Sequence, residues 1–221
     1  MLFRIDKDSH GTILLAWLGG GLVLVLLWLF VGCLWFTVPL TVIISIFMCF
    51  VTWFFRVPVR PAPDGEGFVT SVCDGKVVIV EKAFEKEYLK KECWQVSVYM
   101  DFFDVHCNFW PTEGEIEYYK YHPGKYLLAF LPKSSDLNEH ASSCIKTPQG
   151  DSVFFKQIAG TFARRIVCYS EPGNTVVRGE QCGVIKFGSR IDLFLPLEAD
   201  IKVKVGDKLR AIESVVAVLP R

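Results

Sequence analysis

Gly188-Ser189, near the C-terminus, is the pair of residues most able to change the covalent structure of this chain. Glycine has no Cβ, so the Gly188 carbonyl is open to attack by the neighbouring side chain. If a base removes the Ser189 hydroxyl proton, the oxygen can add to that carbonyl and shift the acyl bond from nitrogen to oxygen. β-Elimination and hydrolysis would then convert Ser189 into a pyruvoyl group. Gly-Ser is also a common turn dipeptide, so it does not indicate this chemistry by itself. The chemistry also needs a base and a site that holds the reacting groups.

Two residues are candidates for the acid or base that this chemistry needs. His106 follows a predicted strand and lies among aromatic residues. Burial there would keep an imidazole neutral and able to take and return a proton, although a satisfied core histidine fits the pattern equally well. Asp74 precedes Gly75, and its carboxylate would take the serine proton or orient a histidine. An ordinary Asp-Gly hairpin turn is the alternative.

The remaining histidines and the cysteines do not form a metal-binding pattern. His10 flanks an apolar segment, His122 precedes a Pro-Gly turn and His140 lies in a polar stretch. No C-x-x-C pair occurs, and the cysteines are scattered at Cys33, Cys49, Cys73, Cys93, Cys107, Cys144, Cys168 and Cys182. We therefore predict neither a metal site nor a disulfide framework, and we interpret these cysteines as small apolar residues in a reducing compartment.

The elements that must position these residues begin with an apolar stretch, residues 13–55, that contains no charge. At ~1.5 Å per residue it would form roughly 65 Å of helix, about twice the ~30 Å core of a bilayer. Proline removes a helix donor, so Pro39 is the expected break. We predict that residues 1–56 form a hairpin of two membrane helices, at about 13–36 and 40–55. A hairpin that enters only one leaflet is the alternative.

Charges on both sides of the apolar stretch predict the orientation of this hairpin. Arg4 and Lys7 precede it, and Arg56 and Arg60 follow it. Positive flanks favour the cytoplasmic side, so both ends are expected there, at the cell membrane. Three consecutive glycines at residues 19–21 predict either a close-packing helix face or a kink.

Residues 57–221 are long enough for one compact domain with its own core. Their apolar residues alternate mainly with period two between Gly- and Pro-containing turns, which predicts a single β-rich domain with little helix. Residues 203–213 resemble the strand-turn-strand of a barrel-sandwich. Positive and negative side chains balance to a formal net charge of zero, so no nucleic-acid partner is indicated.

Several short runs, in this order, resemble the phosphatidylserine decarboxylase family, in particular its short, archaetidylserine decarboxylase-like branch. They cover nearly the whole domain after Val57. The runs are Arg56-Val57-Pro58-Val59-Arg60, Ser71-Val72-Cys73-Asp74-Gly75-Lys76-Val77, Phe103-Asp104-Val105-His106-Cys107-Asn108, Tyr121-His122-Pro123-Gly124-Lys125, Asn138-Glu139, Gln157-Ile158-Ala159-Gly160, Ala163-Arg164-Arg165-Ile166-Val167 and Phe187-Gly188-Ser189-Arg190.

The resemblance implies a proenzyme that cuts itself between Gly188 and Ser189. Residues 1–188 would form a β chain and residues 189–221 an α chain, held together as a heterodimer that is itself able to dimerise. The α chain would begin with a covalent pyruvoyl group derived from Ser189. A phospholipid serine headgroup would condense with this ketone and lose carbon dioxide, which yields phosphatidylethanolamine without a metal or a diffusible cofactor.

By the same resemblance, Asp74 matches the family's aspartate and His106 its active-site histidine. Larger members carry a second histidine where this chain has Phe109, and Val72 replaces a frequent proline. We expect Asp74 to be the base for self-cleavage and His106 to be the proton donor and acceptor in decarboxylation. The alternative is that His106 serves both steps.

Substrate-binding residues are expected at Asn138, Arg164 and Arg165. Adjacent strand residues point to opposite faces, so at most one of the two arginines should reach the substrate phosphate or carboxylate. Surface charge facing an anionic membrane is the alternative. Aromatic residues near His106 are expected either to contact the membrane or to pack in the core, and these are Phe102, Phe103, Phe109 and Trp110.

Three other hypotheses compete with the decarboxylase. A membrane-anchored serine peptidase would have similar spans, but no lysine or histidine lies at a recognised spacing from a serine. A noncatalytic membrane-anchored β-domain adaptor would leave Asp74, His106 and Gly188-Ser189 as turn residues. A decarboxylase homologue that is neither cleaved nor active would keep the motifs without the chemistry.

Overall fold

The computed structural model describes residues 3–127, 137–161, 165–186 and 189–220. The chain divides into two compact units, residues 1–59 and residues 60–221. Strands dominate the second unit, and two apolar helices dominate the first, which confirms the predicted fold class. Two of the predicted site residues, Gly188 and Arg164, lie outside the described residues.

The first unit contains two helices, α1 (His10–Phe30) and α2 (Leu34–Phe54), after a 3-10 turn at Lys7–Ser9. Each helix has 21 residues. Each is therefore ~31 Å long, which matches the ~30 Å hydrocarbon core of a bilayer. Both are long and apolar enough to cross a membrane. Strand β1 (Phe3–Ile5) pairs antiparallel with β2 (Arg56–Pro58), so the two ends of this unit meet.

The break between the helices differs from the predicted one. The structure turns the chain at residues 31–33 and keeps Pro39 inside α2. Because Pro39 lies near the helix start, it forgoes only one hydrogen bond to an earlier carbonyl and does not end the helix. Thr37 reinforces this first turn, since its hydroxyl donates to the carbonyls of Val31 and Cys33 at 3.1 and 3.0 Å.

Gly20 lets α1 approach α2. A Cβ built on Gly20 would clash with the sulfur of Met48, whereas one built on Gly19 or Gly21 would meet nothing within 4 Å. Of the three glycines expected to form a close-packing face, only Gly20 therefore lies in the contact with α2, where a side chain would have to displace Met48.

The second unit consists of short and medium-length strands. They are β3 (Phe68–Thr70), β4 (Gly75–Glu85), β5 (Lys91–Met100), β6 (Cys107–Phe109), β7 (Gly114–His122), β8 (His140–Lys146), β9 (Ser152–Ala159), β10 (Ile166–Cys168), β11 (Thr175–Val176), β12 (Gln181–Ile185), β13 (Ser189–Leu195), β14 (Asp200–Ile201), β15 (Lys208–Leu209) and β16 (Val215–Val218).

The main sheet has eight strands in the order β11-β7-β8-β9-β13-β5-β4-β15. Strand β13 is near its centre and pairs antiparallel with β9 on one side and β5 on the other. In this register Ser189 lies opposite both Met100 and Ala159. Every residue of β13 is buried, so the sheet holds Ser189 inside the protein.

Alternate residues of the main sheet point to two different faces. The core face carries Met100 and Ile191, which belong to the largest apolar cluster. The opposite face carries a smaller cluster that includes Phe154 and Phe194. Ser189 is on the core face because it lies opposite Met100 and two residues from Ile191.

Two three-stranded sheets, β10-β12-β6 and β14-β16-β3, complete the second unit. Strand β6, which follows His106, pairs with β12, which ends shortly before Ser189. The pairing of β6 with β12 therefore links the segment of the histidine to the segment of the serine. In the C-terminal segment, a turn at Gly206 with φ of +100° precedes β15, which pairs with β4 at the edge of the main sheet.

Candidate functional site

Ser189 is fully buried at the start of the central strand β13. Its hydroxyl donates to the sulfur of Met100 at 3.6 Å. The residue opposite it on β9 is the small Ala159. The structure therefore puts the predicted nucleophile in a dry site with a weak acceptor beside it.

His106 is fully buried in the segment between β5 and β6. A turn shapes this segment, because the Asp104 carboxylate accepts from the Asp101 amide at 2.9 Å and the Asp101 carboxylate accepts from the Phe103 amide at 2.8 Å. The His106 Nδ1 lies 3.0 Å from the Asp104 carbonyl, so Nδ1 carries the proton and Nε2 is the acceptor nitrogen. The His106 carbonyl accepts from the Ile185 amide at 3.1 Å, four residues before Ser189.

Asp74 is nearly buried and forms an ion pair with Arg60. One carboxylate oxygen accepts from Arg60 Nη2 at 2.9 Å, and the other accepts from Arg60 Nη1 and from the Ala211 amide, the latter at 2.8 Å. Hydrogen bonding to Asp74 raises the pKa of Arg60. Within the described part of the chain, no hydrogen bond joins Asp74 to His106 or Ser189.

Asp104 is the second carboxylate near the end of β5. Burial raises its pKa, and the charges of Asp101 and Asp74 act in the same direction. Gly75, next to Asp74, allows close contact with β5, since a Cβ there would collide with the Tyr99 carbonyl. The Asp74-Gly75 pair therefore begins a paired strand instead of forming the tip of a hairpin.

The sequence analysis did not predict two buried side-chain amides near Ser189. Gln157 Nε2 donates to Asn108 Oδ1 at 2.7 Å, and Asn108 Nδ2 donates to the sulfur of Met100 at 3.8 Å. Both side chains are fully buried. Each of them is a polar residue at a strand position that faces the core. The period-two pattern reveals such a position only once the strand register is known.

Asn138 lies two residues before β8 and connects Leu127 to the end of β9. Its Nδ2 donates to the carbonyls of Leu127 and Ala159 at 2.9 and 2.7 Å, and its Oδ1 accepts from the Leu127 amide at 2.9 Å. Both amide hydrogens are thus used by the backbone. The side chain holds Ala159, the residue opposite Ser189, in place.

Arg165 has an exposed side chain just before β10. Its carbonyl accepts from the Lys186 amide at 3.2 Å, which ties it to the segment before Ser189. The side chain itself is available to an anion from solvent. Arg164, its predicted companion, lies outside the described residues.

The aromatic residues near His106 divide into two groups. Phe109 and Trp110 are buried, at 2% and 4% exposure, and therefore pack in the core. Phe102 and Phe103 are exposed, at 41% and 68%, in the turn before His106. Of these four aromatic residues, Phe102 and Phe103 are therefore the two that can contact a membrane.

A buried ion pair, also not predicted, follows Ser189 on β13. Arg190 Nε and Nη2 donate to the two carboxylate oxygens of Asp192 at 2.8 and 2.9 Å, and both side chains are fully buried. Strand alternation puts them on the face opposite Ser189. This bidentate pair compensates two buried charges within the strand that carries the nucleophile.

A second polar cluster lies on that same opposite face, around Glu87 in the turn between β4 and β5. We call it the Glu87 cluster, and its members are Glu87, Tyr118, His122, His140, Ser142 and Lys156. Ligand atoms of the carboxylate and the two imidazoles lie within 4.8 Å of one another. Such a donor set is chemically suited to a divalent transition metal.

The arrangement of the rings opposes metal binding in this conformation. His122 and His140 are stacked, with centroids 4.4 Å apart and planes within 14°. Lone pairs lie in the ring planes, so two stacked imidazoles do not direct them to one ion. His140 Nδ1 is also 2.7 Å from the Asn138 carbonyl, and burial lowers the pKa of His140.

The Glu87 carboxylate is instead saturated by hydrogen-bond donors. It accepts from Tyr118 at 3.1 Å, His122 at 2.6 Å, Ser142 at 2.9 Å and Lys156 at 2.9 Å. Burial opposes ionisation of Glu87, but its bonds to Lys156, His122 and Ser142 prevail and lower its pKa to about 2. This cluster therefore attaches the β4–β5 turn to the main sheet.

Comparison with known proteins gives the family. The family model described as phosphatidylserine decarboxylase matches residues 47–217. The chain is 47% identical over 167 residues to the phosphatidylserine decarboxylase proenzyme of Amoebophilus asiaticus, across 76% of this chain and 74% of the relative. It is 38% identical over 221 residues to the proenzyme of Porphyromonas gingivalis, across 98% and 99% of the two chains. The chain belongs to the phosphatidylserine decarboxylase family.

Proposed function

We propose that this chain is a self-cleaving, pyruvoyl-dependent decarboxylase that converts phosphatidylserine into phosphatidylethanolamine. Membership of the family supports the reaction, and the relatives' designation as proenzymes supports self-cleavage. The observation that carries the proposal is the position of Ser189. It begins the central strand, is fully buried, and is connected through Ile185 to the segment of a fully buried histidine.

The proposed cleavage between Gly188 and Ser189 would leave a β chain of residues 1–188 and an α chain of residues 189–221. Strand β13 pairs along Ser189–Leu195 with β5, and it pairs with β9 on its other side. Both partner strands belong to the β chain. The two products would therefore remain joined as a heterodimer through backbone hydrogen bonds on both sides of β13.

The residues around Ser189 fit the pyruvoyl group that the family implies. Ala159 leaves room opposite Ser189. Gln157 lies on the same face of the sheet, and its buried side-chain oxygen has no hydrogen-bond partner among the described residues. Once formed, the group supplies a carbonyl that takes up the headgroup amine and withdraws electrons as carbon dioxide leaves.

His106 is the proposed proton donor and acceptor for decarboxylation. Its Nδ1 is held by the Asp104 carbonyl, so Nε2 is the nitrogen that can exchange a proton. Asp74 remains the proposed base for self-cleavage, and its carboxylate is held in place by the ion pair with Arg60.

The remaining proposed substrate contacts concern the headgroup. The exposed side chain of Arg165 is proposed to pair with the phosphate or carboxylate, and Arg164 with the same anion from the neighbouring position. For Asn138, whose amide hydrogens are engaged by backbone carbonyls, we propose support of the site through Ala159.

We further propose that the helical hairpin anchors the enzyme in the cell membrane, with the catalytic domain on the cytoplasmic side. Arg4, Lys7 and Arg56 flank the two helices, as expected for cytoplasmic ends. A diacyl lipid rarely leaves the bilayer, because each buried CH₂ holds it by about 0.8 kcal/mol. An anchored enzyme can instead meet the headgroup at the membrane surface.

The intact mass of the purified full-length protein tests this function. We expect a fragment that begins at residue 189 with a blocked N-terminus, and release of carbon dioxide from phosphatidylserine in mixed micelles. Ser189→Ala should remain a single chain and be inactive, because it has no hydroxyl to attack Gly188. His106→Ala should still be cleaved but should lose at least about a hundredfold in kcat, the usual contribution of a positioned acid or base.

The matched control is Ser170→Ala, since Ser170 is also a buried serine, and its hydroxyl contacts Ser143 and Cys168, which lie outside the site. It should be cleaved normally. A wild-type chain that stays intact would contradict the proposal and favour the noncatalytic adaptor. If His106→Ala is not cleaved, His106 serves both steps.

A further inference from the structure

The side-chain oxygen of Gln157 lacks a hydrogen-bond partner. Within the described part of the chain, the buried side-chain atoms without a hydrogen bond are Gln157 Oε1 and Glu213 Oε2. The latter lies 3.0 Å from Arg210 Nε in an ion pair, so it has a compensating charge. Gln157 is fully buried and its oxygen has none. An uncompensated buried acceptor costs stability, which points to a ligand that satisfies it.

Hydrogen-bond chemistry determines that the unpartnered atom is the oxygen and not the nitrogen. A thioether has no hydrogen to donate, so Asn108 must direct its NH₂ group to the Met100 sulfur. Its oxygen then faces Gln157, which must donate with its own NH₂ group. The Gln157 oxygen is therefore the atom without a partner, and a ligand that satisfies it must donate a hydrogen bond.

The register of the main sheet places the Gln157 side chain near residue 189. Gln157 lies opposite Ile191, and Ala159 lies opposite Ser189. Gln157 and Ser189 are therefore diagonal neighbours on one face, with Cβ atoms about 7–8 Å apart or somewhat less. A glutamine side chain can bridge much of that distance, and both Asn108, the partner of Gln157, and Ser189 contact the Met100 sulfur. A small group bound at residue 189 is therefore within the range of Gln157.

The chemistry of the proposed substrate contains one matching donor. A serine phospholipid headgroup at neutral pH carries a phosphodiester and a carboxylate, which only accept hydrogen bonds, and an amino group, which donates. The amino group is also the part that must approach the carbonyl at residue 189. The Gln157 oxygen is therefore complementary to the reacting end of the headgroup.

We propose that Gln157 recognises the headgroup amine, by accepting a hydrogen bond from it and directing the nitrogen toward residue 189. The proposal rests on the proposed decarboxylase function. Asn108 orients the Gln157 amide, and the Met100 sulfur orients Asn108. The three side chains thus form a chain of hydrogen bonds that ends at the Gln157 amide.

The test replaces Gln157 with methionine, which has similar length but no amide. Self-cleavage should be normal by intact mass, and the carbonyl at residue 189 should react with hydroxylamine as in the wild type. The kcat/KM for phosphatidylserine should fall roughly tenfold to a hundredfold, the loss expected for one hydrogen bond to a charged group. Reductive trapping of the lipid on the residue-189 fragment should fall in parallel at subsaturating lipid.

A lipid without the amine separates amine recognition from a general effect on the pocket. The probe is phosphatidyl-3-hydroxypropionate, which keeps the carboxylate and phosphate, used as a competitive inhibitor. Its inhibition constant should be the same for wild type and Gln157→Met. If that constant rises together with the KM for phosphatidylserine, Gln157 only shapes the pocket and the proposal is wrong.

Gln95→Met is the matched control. Gln95 is a nearly buried glutamine of the same sheet, but it lies on the opposite face and donates to Ser97 Oγ at 3.1 Å. It should leave kcat/KM unchanged. If Gln157→Met equals the wild type in kcat/KM and trapping, the amine proposal fails while the decarboxylase function stands. If the wild type itself is neither cleaved nor active, the proposed function fails.

Discussion

At the scale of single residues, Asp74 combines an ion pair with a proposed role as a base. Arg60 binds both of its carboxylate oxygens, and the Ala211 amide binds one of them. The carboxylate could therefore act as a base itself, or act only by holding Arg60 and the Ala211 amide in place. Replacing Asp74 removes the carboxylate, whereas replacing Arg60 removes only its ion-pair partner. The two substitutions therefore separate these possibilities.

We expect Asp74→Asn to stop self-cleavage, since an amide cannot take the Ser189 proton. Arg60→Gln should still be cleaved, because it leaves the Asp74 carboxylate in place. Each variant breaks a largely buried ion pair and should destabilise the fold by roughly 3 kcal/mol. Intact mass measures cleavage, and thermal unfolding of the same samples measures stability.

The comparison of the two variants decides the role of Asp74. Equal loss of cleavage in Asp74→Asn and Arg60→Gln, at equal loss of stability, would mean that Asp74 acts only through the ion pair. Cleavage by both variants would leave His106 as the base.

At the scale of elements, the main sheet keeps two polar sites on different faces. Ser189, Met100 and Gln157 lie on the core face, whereas the Glu87 cluster and the Arg190–Asp192 pair lie on the opposite one. Strand alternation produces this separation, because neighbouring residues of one strand point in opposite directions. A change in the Glu87 cluster should therefore affect stability without altering the chemistry of Ser189.

The contribution of the Glu87 cluster to the stability of the folded protein should depend on pH, because the cluster contains His140. Burial lowers its pKa, although the bond to the Asn138 carbonyl acts in the other direction. The unfolded chain, with a histidine pKa of about 6.5, therefore binds a proton more readily than the folded protein. The stabilisation from neutral His140 is complete above about pH 6.5 and is lost as the pH falls. We expect the melting temperature to drop by roughly 2–4 °C between about pH 7.5 and pH 5.5.

The groups facing His140 determine the control. His122 stacks on it, and the charges of Lys156 and His122 favour the neutral ring whereas Glu87 favours the charged one. His140→Gln removes the titrating ring and should reduce the pH-dependent drop. A drop of unchanged size in His140→Gln would assign the pH dependence to other residues.

At the scale of the whole molecule, the helical hairpin predicts a position for Cys33. This exposed cysteine lies in the turn between α1 and α2, whereas both outer ends of the hairpin carry basic residues. If both ends are cytoplasmic and each helix spans the bilayer, Cys33 must reach the outer surface. We expect a membrane-impermeant maleimide to label it in intact spheroplasts.

Cys33→Ser identifies the labelled site and should remove the signal. The cysteines of the second unit should label only weakly, even in inverted vesicles, because most of them are buried. Labelling of Cys33 only after the membrane is opened would favour a hairpin that enters one leaflet and returns.

The sequence by itself determined the class of this protein and its proposed chemistry. An uncharged apolar stretch predicts membrane helices, and period-two alternation predicts strands, since both depend on local composition. The ordered motifs around Asp74, His106 and Gly188-Ser189 were sufficient to identify the family. The sequence-based position of the helix break was less accurate, because Pro39 is tolerated near the start of α2.

Only the tertiary structure decided which side chains meet. Gln157 and Asn108 are separated by 49 residues in the chain, yet their amides are hydrogen-bonded. Asp74 is likewise paired with Arg60, and Arg190 is buried with Asp192. The contact of Gln157 depends on strand register, because a shift of one residue would turn its side chain to the other face of the sheet. Local patterns do not encode that register, so the unpartnered Gln157 oxygen became visible only in the folded sheet.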